Sequence, residues 1–233
     1  MLKNMSIKQL FPVLLIMLAP MAATAQDVYP TVSPTATYIN DDGEETETDS
    51  DIAGQAPLTV TFRANPSNME GYSPVFEWHF RMVGEEKDYM VRYEQDTEYT
   101  FTNSGTTRVT LKVTLGQELE LDSTVISVTV SESKLAFPNA FSPNGDEYNP
   151  IYKAKEYQSI VEFHAYIFNR WGQKLFDWTD PSQGWDGTYG GKDVKEGVYF
   201  LLVKAKGADG REYNIRKDVN LLRGYTEGSA RDE

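Results

Sequence analysis

Apolar residues at every second position, repeated over many short runs, constrain this chain more than any other feature. Leu58, Val60 and Phe62 alternate with Thr59, Thr61 and Arg63. Phe76, Trp78 and Phe80 alternate with Glu77, His79 and Arg81, and Val109, Leu111 and Val113 with Thr110 and Lys112. Successive side chains of a strand point to opposite faces, so each run buries one face and wets the other. No amphipathic helical repeat of any length appears, and turn residues recur at short intervals. The chain therefore reads as all-β, in sandwiches of antiparallel strands.

A run from Val125 to Val130 closes the first unit before the polar stretch Ser131-Glu132-Ser133-Lys134, which marks a domain boundary. Beyond it, strands are expected at Ile160 to Phe168, Lys174 to Phe176, Val198 to Lys204 and Tyr213 to Leu222. Turns separate them at Asn169 to Gly172, Asp186-Gly187 and Asp209-Gly210, where glycine supplies positive φ. A possible first strand runs from Thr35 to Ile39. After it, Asp41 to Ser50 holds no apolar residue and cannot pack a core. The stretch 41–51 reads as a mobile acidic loop inside the first domain; a plain N-terminal linker is the alternative.

Lys3 and Lys8, an apolar stretch from Leu10 to Leu18, and the small-residue pattern Ala23-Thr24-Ala25 make residues 1–25 a signal peptide, with Gln26 opening the mature chain. The stretch is short for a bilayer span, which takes about 20 residues. No second long apolar run follows, so no membrane span is expected after signal removal. The chain has no cysteine, which excludes disulfides, thiolate metal sites and lipidation at a cysteine. Its formal charge of -13 argues against a nucleic-acid partner, which would need clustered Lys and Arg. Gln26 to Lys134 carries 20 acids and 7 bases, Leu135 to Glu233 15 acids and 13 bases, so the acidity belongs to the first half. Such a surface is usually a solubility device; dependence on a divalent ion is the sharper alternative.

Gly54-Gln55-Ala56-Pro57-Leu58 to Phe62, then Phe76-Glu77-Trp78, Tyr99-Thr100-Phe101, and Gly105 before Val109-Thr110-Leu111, resembles the PKD domain, an immunoglobulin-like sandwich. The resemblance covers most of Thr31 to Ser133, within a domain set at 26–133, and departs from the family at Arg81 to Glu86, where a Gly-Asp-Gly turn is usual. It makes Trp78, with Phe76 and Phe80, the centre of a core. Exposed Tyr89 and Tyr93 are candidates for a glycan or protein ligand, or plain half-buried strand residues.

The second half carries four motifs in order. These are Phe137-Pro138-Asn139-Ala140-Phe141-Ser142-Pro143-Asn144-Gly145-Asp146, Ile167-Phe168-Asn169-Arg170-Trp171-Gly172, Gly184-Trp185-Asp186-Gly187 and Glu196-Gly197-Val198-Tyr199. They resemble the gliding-motility-associated C-terminal domain, similar to the type B sorting domain of the Bacteroidota type IX secretion system. The resemblance implies a second immunoglobulin-like sandwich in tandem, over 134–224, recognised by the outer-membrane translocon of that system. Read as structure, Asn169 to Gly172 is a hairpin turn with Trp171 covering the sandwich edge, and Trp185 anchors the core. Arg170 is expected to pair with Asp186 or stack on a Trp. A polar tail, 225–233, follows the last strand. It would obstruct a signal read from the chain end but not one read from a folded surface, and on the second view the unit from Lys134 is an autonomous passenger.

Chemistry leaves few marks. His79 and His164 lie opposite the apolar set of their strands, in separate domains, without a nucleophile or second ligand at usable spacing. Asn144 to Asn149 offers alternating oxygen ligands but not the frame of a calcium loop, and an Asx-type turn fits it better. No catalytic residue, metal or cofactor is assigned. The expected protein is a non-enzymatic secreted or cell-surface protein, its first domain binding a glycan or protein or acting as a spacer. The alternatives are an envelope component acting in the periplasm and, last, a hydrolase.

Overall fold

The computed structural model describes residues 29–224 apart from 117, 118, 122 and 147. The segments read as a signal peptide and a polar tail lie outside the described residues. Within them the chain is all-β and forms two tandem immunoglobulin-like sandwiches.

In the first sandwich one sheet runs in the order Ile52–Gly54, Thr124–Val130, Gly105–Leu115, Pro74–Met82, Met90–Arg92. The other runs Glu45–Thr48, Thr35–Ile39, Leu58–Arg63, Asp96–Phe101. The period-2 residues meet between them. Phe62 lies 5.7 Å from Trp78 and 5.8 Å from Phe80, with Phe101, Val109, Leu111, Ile126 and Val128 buried around them. The Trp78 indole N–H donates to Gln95 O at 3.2 Å, so its polar edge is satisfied inside the core.

The acidic stretch is not a loop. Asn40 closes a tight turn, its side chain accepting from the N–H groups of Asp42 and Glu44, and Glu45–Thr48 then pairs antiparallel with Thr35–Ile39. Thr46 and Thr48 turn inward while Glu45 and Glu47 face water. Lack of apolar residues rules out a central strand, but suits an edge strand that must discourage further pairing.

The second sandwich is built on one five-stranded sheet, ordered Ala140–Phe141, Glu212–Leu221, Gly197–Gly207, Ile160–Phe168, Lys174–Trp178. Its opposing layer consists of short ribbons, Lys134–Ala136 with Glu156–Gln158 and Tyr152–Lys153 with Gly184–Trp185. Antiparallel pairing prevails, with a parallel edge in each domain: Ile52–Gly54 beside Thr124–Val130, and Ala140–Phe141 beside Glu212–Leu221.

The stretch from Ser131 to Lys134 is packed rather than loose. Ser133 is buried, with its hydroxyl 2.7 Å from Asp209 and 2.9 Å from the Tyr213 hydroxyl. A Cβ on Gly207 would overlap the Ser133 side chain, so only glycine lets the linker lie against the hairpin. Ala208, at that hairpin's tip, is 6% exposed and belongs to the first sandwich's core, with Val161 packed beside it. Ser104 N donates to Ala208 O at 3.0 Å, and Ala208 N to Ser159 O at 2.9 Å. Ser159, 2% exposed, accepts from Ala56 N at 3.2 Å and bonds the Ser131 hydroxyl at 2.8 Å. The two sandwiches thus share buried contacts, which the expectation of an autonomous second unit did not contain.

Candidate functional site

The four motifs of the second half fall at one end of its sheet. The strands ending at Phe168 and Leu221 and the strand starting at Gly197 share that end, while Ile160, Gly207 and Glu212 lie at the other, beside the first sandwich. The motif loops therefore gather at the end away from the junction.

Each loop is held by its own backbone chemistry. Asn139 O accepts from both Asn220 N, at 2.9 Å, and Asn220 Nδ2, at 3.2 Å, and the Tyr152 hydroxyl donates to Pro138 O at 3.0 Å. Phe141 is buried 5.4 Å from Trp185. Beyond Pro143, Asp146 N donates to Asn144 Oδ1 at 3.1 Å and Tyr148 N to Asp146 Oδ1 at 2.9 Å, with Gly145 at positive φ between them. These are Asx-turn bonds, and they engage the oxygens a cation would need. Among the described residues no group of three or more His, Asp or Glu is placed to hold a metal ion.

Asn169 Oδ1 accepts from Trp171 N at 2.9 Å and Gln173 N at 3.1 Å, and Gly172 takes φ 78° to close the hairpin. Trp171 does not cover the sandwich edge: it is 84% exposed. The hairpin is closed by hydrogen bonds alone, so its tip residue has nothing to pack on. Nor does Arg170 pair with Asp186. The Asp186 carboxylate accepts from Thr188 N at 2.9 Å and Thr188 Oγ1 at 2.8 Å, closing its own turn.

Trp185 is fully buried, its N–H donating to Thr188 O at 2.8 Å and its ring 5.1 Å from Tyr199. Tyr199, over Gly197, donates from its hydroxyl to Lys195 O at 2.7 Å, and burial pushes its pKa up. Gly187 is hemmed in by Leu221, Pro143 and Arg223 at positive φ, so this position needs glycine for both conformation and room.

What joins the loops is a residue that the motifs do not contain. The Arg223 guanidinium donates to Pro143 O at 2.9 Å, Gly187 O at 2.8 Å and Val194 O at 3.3 Å, and lies 3.2 Å from Asp193. Glu196 accepts from the N–H groups of Arg223 and Gly224, and these two bonds hold its carboxyl below the usual range. Five delocalised donors in a rigid fork suit Arg to such bridging, where Lys would serve as a point charge. In the sequence Arg223 stands just after the last strand, and no spacing marks it.

The histidines stand elsewhere, on open sheet faces. His79 lies between Asp88, at 2.7 Å, and Glu77, at 3.0 Å. His164 bonds Asp177 at 3.0 Å and the Tyr166 hydroxyl at 2.9 Å. Lys174 and His164 together hold the Asp177 carboxyl low. Tyr89 packs on Phe80 and Tyr99, and burial pushes its pKa up to about 12, whereas Tyr93 is exposed.

With the loops in place, comparison decides what this end belongs to. Residues 135–217 match the CHU_C type IX secretion signal domain. All four motif loops lie inside the CHU_C match; Arg223 and Gly224 lie just beyond it. A signal domain of this kind marks the protein for export, to the cell surface or the medium, by the type IX secretion machinery. No curated protein matches the chain. Among solved structures, fibronectin(III)-like modules of Clostridium thermocellum CbhA are 13% identical, over 74% of this chain and 89% of that one, with TM-score 0.23. The FN1–FN3 domains of chicken CNTN1 are 10% identical over 77% and 69%, with TM-score 0.31. The Bacteroides ovatus mixed-linkage glucan utilization protein SGBP-B, in complex with a mixed-linkage heptasaccharide, is 13% identical over 82% and 47%, with TM-score 0.27. Likenesses at such scores carry no inference about function.

Proposed function

We propose that this chain is a non-enzymatic surface protein in which a PKD-like sandwich, working as a binding or spacer module, is exported and displayed by a type B sorting domain of the Bacteroidota kind. The observation that carries the reading is the convergence of the four motif loops within the CHU_C match, at the end of the second sandwich that faces away from the first. A surface meant to be read by another protein must be accessible and fixed in shape, and this end is both. Its hydrogen bonds hold loops in place; they do not aim a nucleophile, a base or a metal ligand at a common point.

The displaced pKa values support a non-catalytic role, because structural bonds and burial account for them. Asp180 is held low by Ser182, Asp209 by Ser133, and Glu196 by two backbone N–H groups, while Tyr152 is pushed up by burial in the core. Such shifts at a catalytic centre would fall together in a cleft. Here they are spread over separate turns and the core, and Glu196 and Tyr199, which line one groove, are each tied to backbone atoms. The first sandwich offers Tyr93 on an open surface for a glycan or protein ligand.

Protease shaving of intact cells tests the reading. The full chain, expressed in a host with the type IX machinery, should be cleaved from outside the cell. Protection of the first sandwich in intact cells, with cleavage only after the outer membrane is opened, would favour a periplasmic role and refute display.

A further inference from the structure

Trp171 is the least expected residue in the molecule. The largest apolar side chain stands at the tip of a hairpin with 84% of its surface in water, while the other three tryptophans are buried. Nothing in the packing calls for it there, since Asn169, Gly172 and Gln173 close the turn without the indole.

Its surroundings are ordered. The tip is tied sideways by Gln173 Nε2, which donates to the Tyr189 hydroxyl at 3.1 Å. Behind the indole a groove runs past Leu175, Tyr189, Val194 and Val198, open to solvent, with Arg170 and Lys195 at its rim. The acids alongside are engaged, Glu196 by the backbone of Arg223 and Gly224, Asp193 by the Arg223 side chain. Arg170 and Lys195 have no ion pair among the described residues. A chain of formal charge -13 thus presents cationic side chains beside an exposed indole, at the end where its motif loops meet.

Trp, Tyr and Arg are the residue types over-represented among those that dominate protein–protein binding, and they do so as anchors seated in a partner's pocket. We propose that Trp171, Arg170 and Tyr189 form the face by which this protein is gripped for export. The partner is a protein of the export machinery that offers an apolar slot for the indole and a carboxylate for the guanidinium. The charge of the rim selects that chemistry: a basic partner would be repelled, and a purely apolar one would leave Arg170 desolvated and unpaired. The inference rests on the export reading above and names the surface that the reading requires.

The test uses the full chain in a host carrying the type IX machinery, scored as the fraction shaved from intact cells. Trp171→Ala and Arg170→Glu should each lower that fraction by at least about tenfold, as loss of an anchor does. Trp171→Phe should retain part of it. Tyr93→Ala, which removes an exposed aromatic of the first sandwich, should leave it unchanged. Purified Trp171→Ala should melt within about 2 °C of wild type, because the indole packs on little. If it melts lower, Arg170→Glu, which removes no buried surface, decides the matter. Wild-type display with both variants shaved like wild type would overturn the inference and leave the export reading standing. A wild-type chain that stays in the periplasm would overturn both. If Trp171→Ala converts a wild-type dimer to monomer while export persists, the tip serves a second copy of the chain, and the inference falls.

Discussion

Ser159→Ala probes the junction with the fewest side effects. The hydroxyl it removes accepts from Ala56 N and bonds the Ser131 hydroxyl. Ala56 is buried, so its N–H would be left without a partner, at a cost of about 1–3 kcal/mol. Ser131 is only half-buried and can turn to water, which adds about 0.5–1 kcal/mol. The φ of 46° at position 159 strains Ser and Ala alike, so that term cancels. The sum is about 1.5–4 kcal/mol, which in a protein of this size lowers Tm by about 3–16 °C. Scanning calorimetry of the full chain is the assay, with Ser182→Ala, in an exposed turn, as reference. Because Ala208 sits in the first sandwich's core, wild type should unfold in one transition, and the variant should broaden or split it. A Tm within about 1 °C of wild type, with an unchanged peak shape, would refute the claim that these bonds are buried and couple the domains.

Other outcomes follow from the same geometry. Trp185→Ala should cost about 3–5 kcal/mol and unfold much of the second sandwich at growth temperature, read by loss of near-ultraviolet dichroism. Arg223→Met should leave both cores intact but free three carbonyls, so that hydrogen exchange speeds up at 142–146, 185–188 and 193–197 while the central strands stay protected. Asp209, held below its ordinary 3.8 chiefly by the Ser133 hydroxyl, stabilises the junction fully above that pH and progressively less as acid takes the pH through its lowered folded value. Asp209→Asn should therefore lower Tm at neutral pH and flatten its fall in acid, as a pH series of melts would show.

The strands were legible because alternation is a local signal. Ile160 to Phe168 forms as read, and the Trp78 strand extends only two residues before Phe76 and two beyond Phe80. The acidic strand was missed because an edge strand with threonines inside needs no apolar residue, and its pairing partner cannot be seen from within the segment. Trp185 is buried and Gly172 closes its hairpin at positive φ, as their chemistry suggested. Trp171 was misplaced for the opposite reason: apolar character predicts burial, and this indole is left exposed at a hairpin tip. Arg223, Ala208 and Ser159 were invisible because what each does is set by groups 28 to 104 positions away, and a lone Arg, Ala or Ser has no spacing to read.

Arg223 has a further consequence for the order of assembly. It follows all four motifs in the chain, so each motif is synthesised and crosses the inner membrane before the residue that stitches their loops together. A polypeptide that stops between Tyr199 and Arg223 holds every motif and lacks the fixed arrangement of them. On the proposed reading, a partner that binds this end would thereby distinguish a finished domain from an unfinished one.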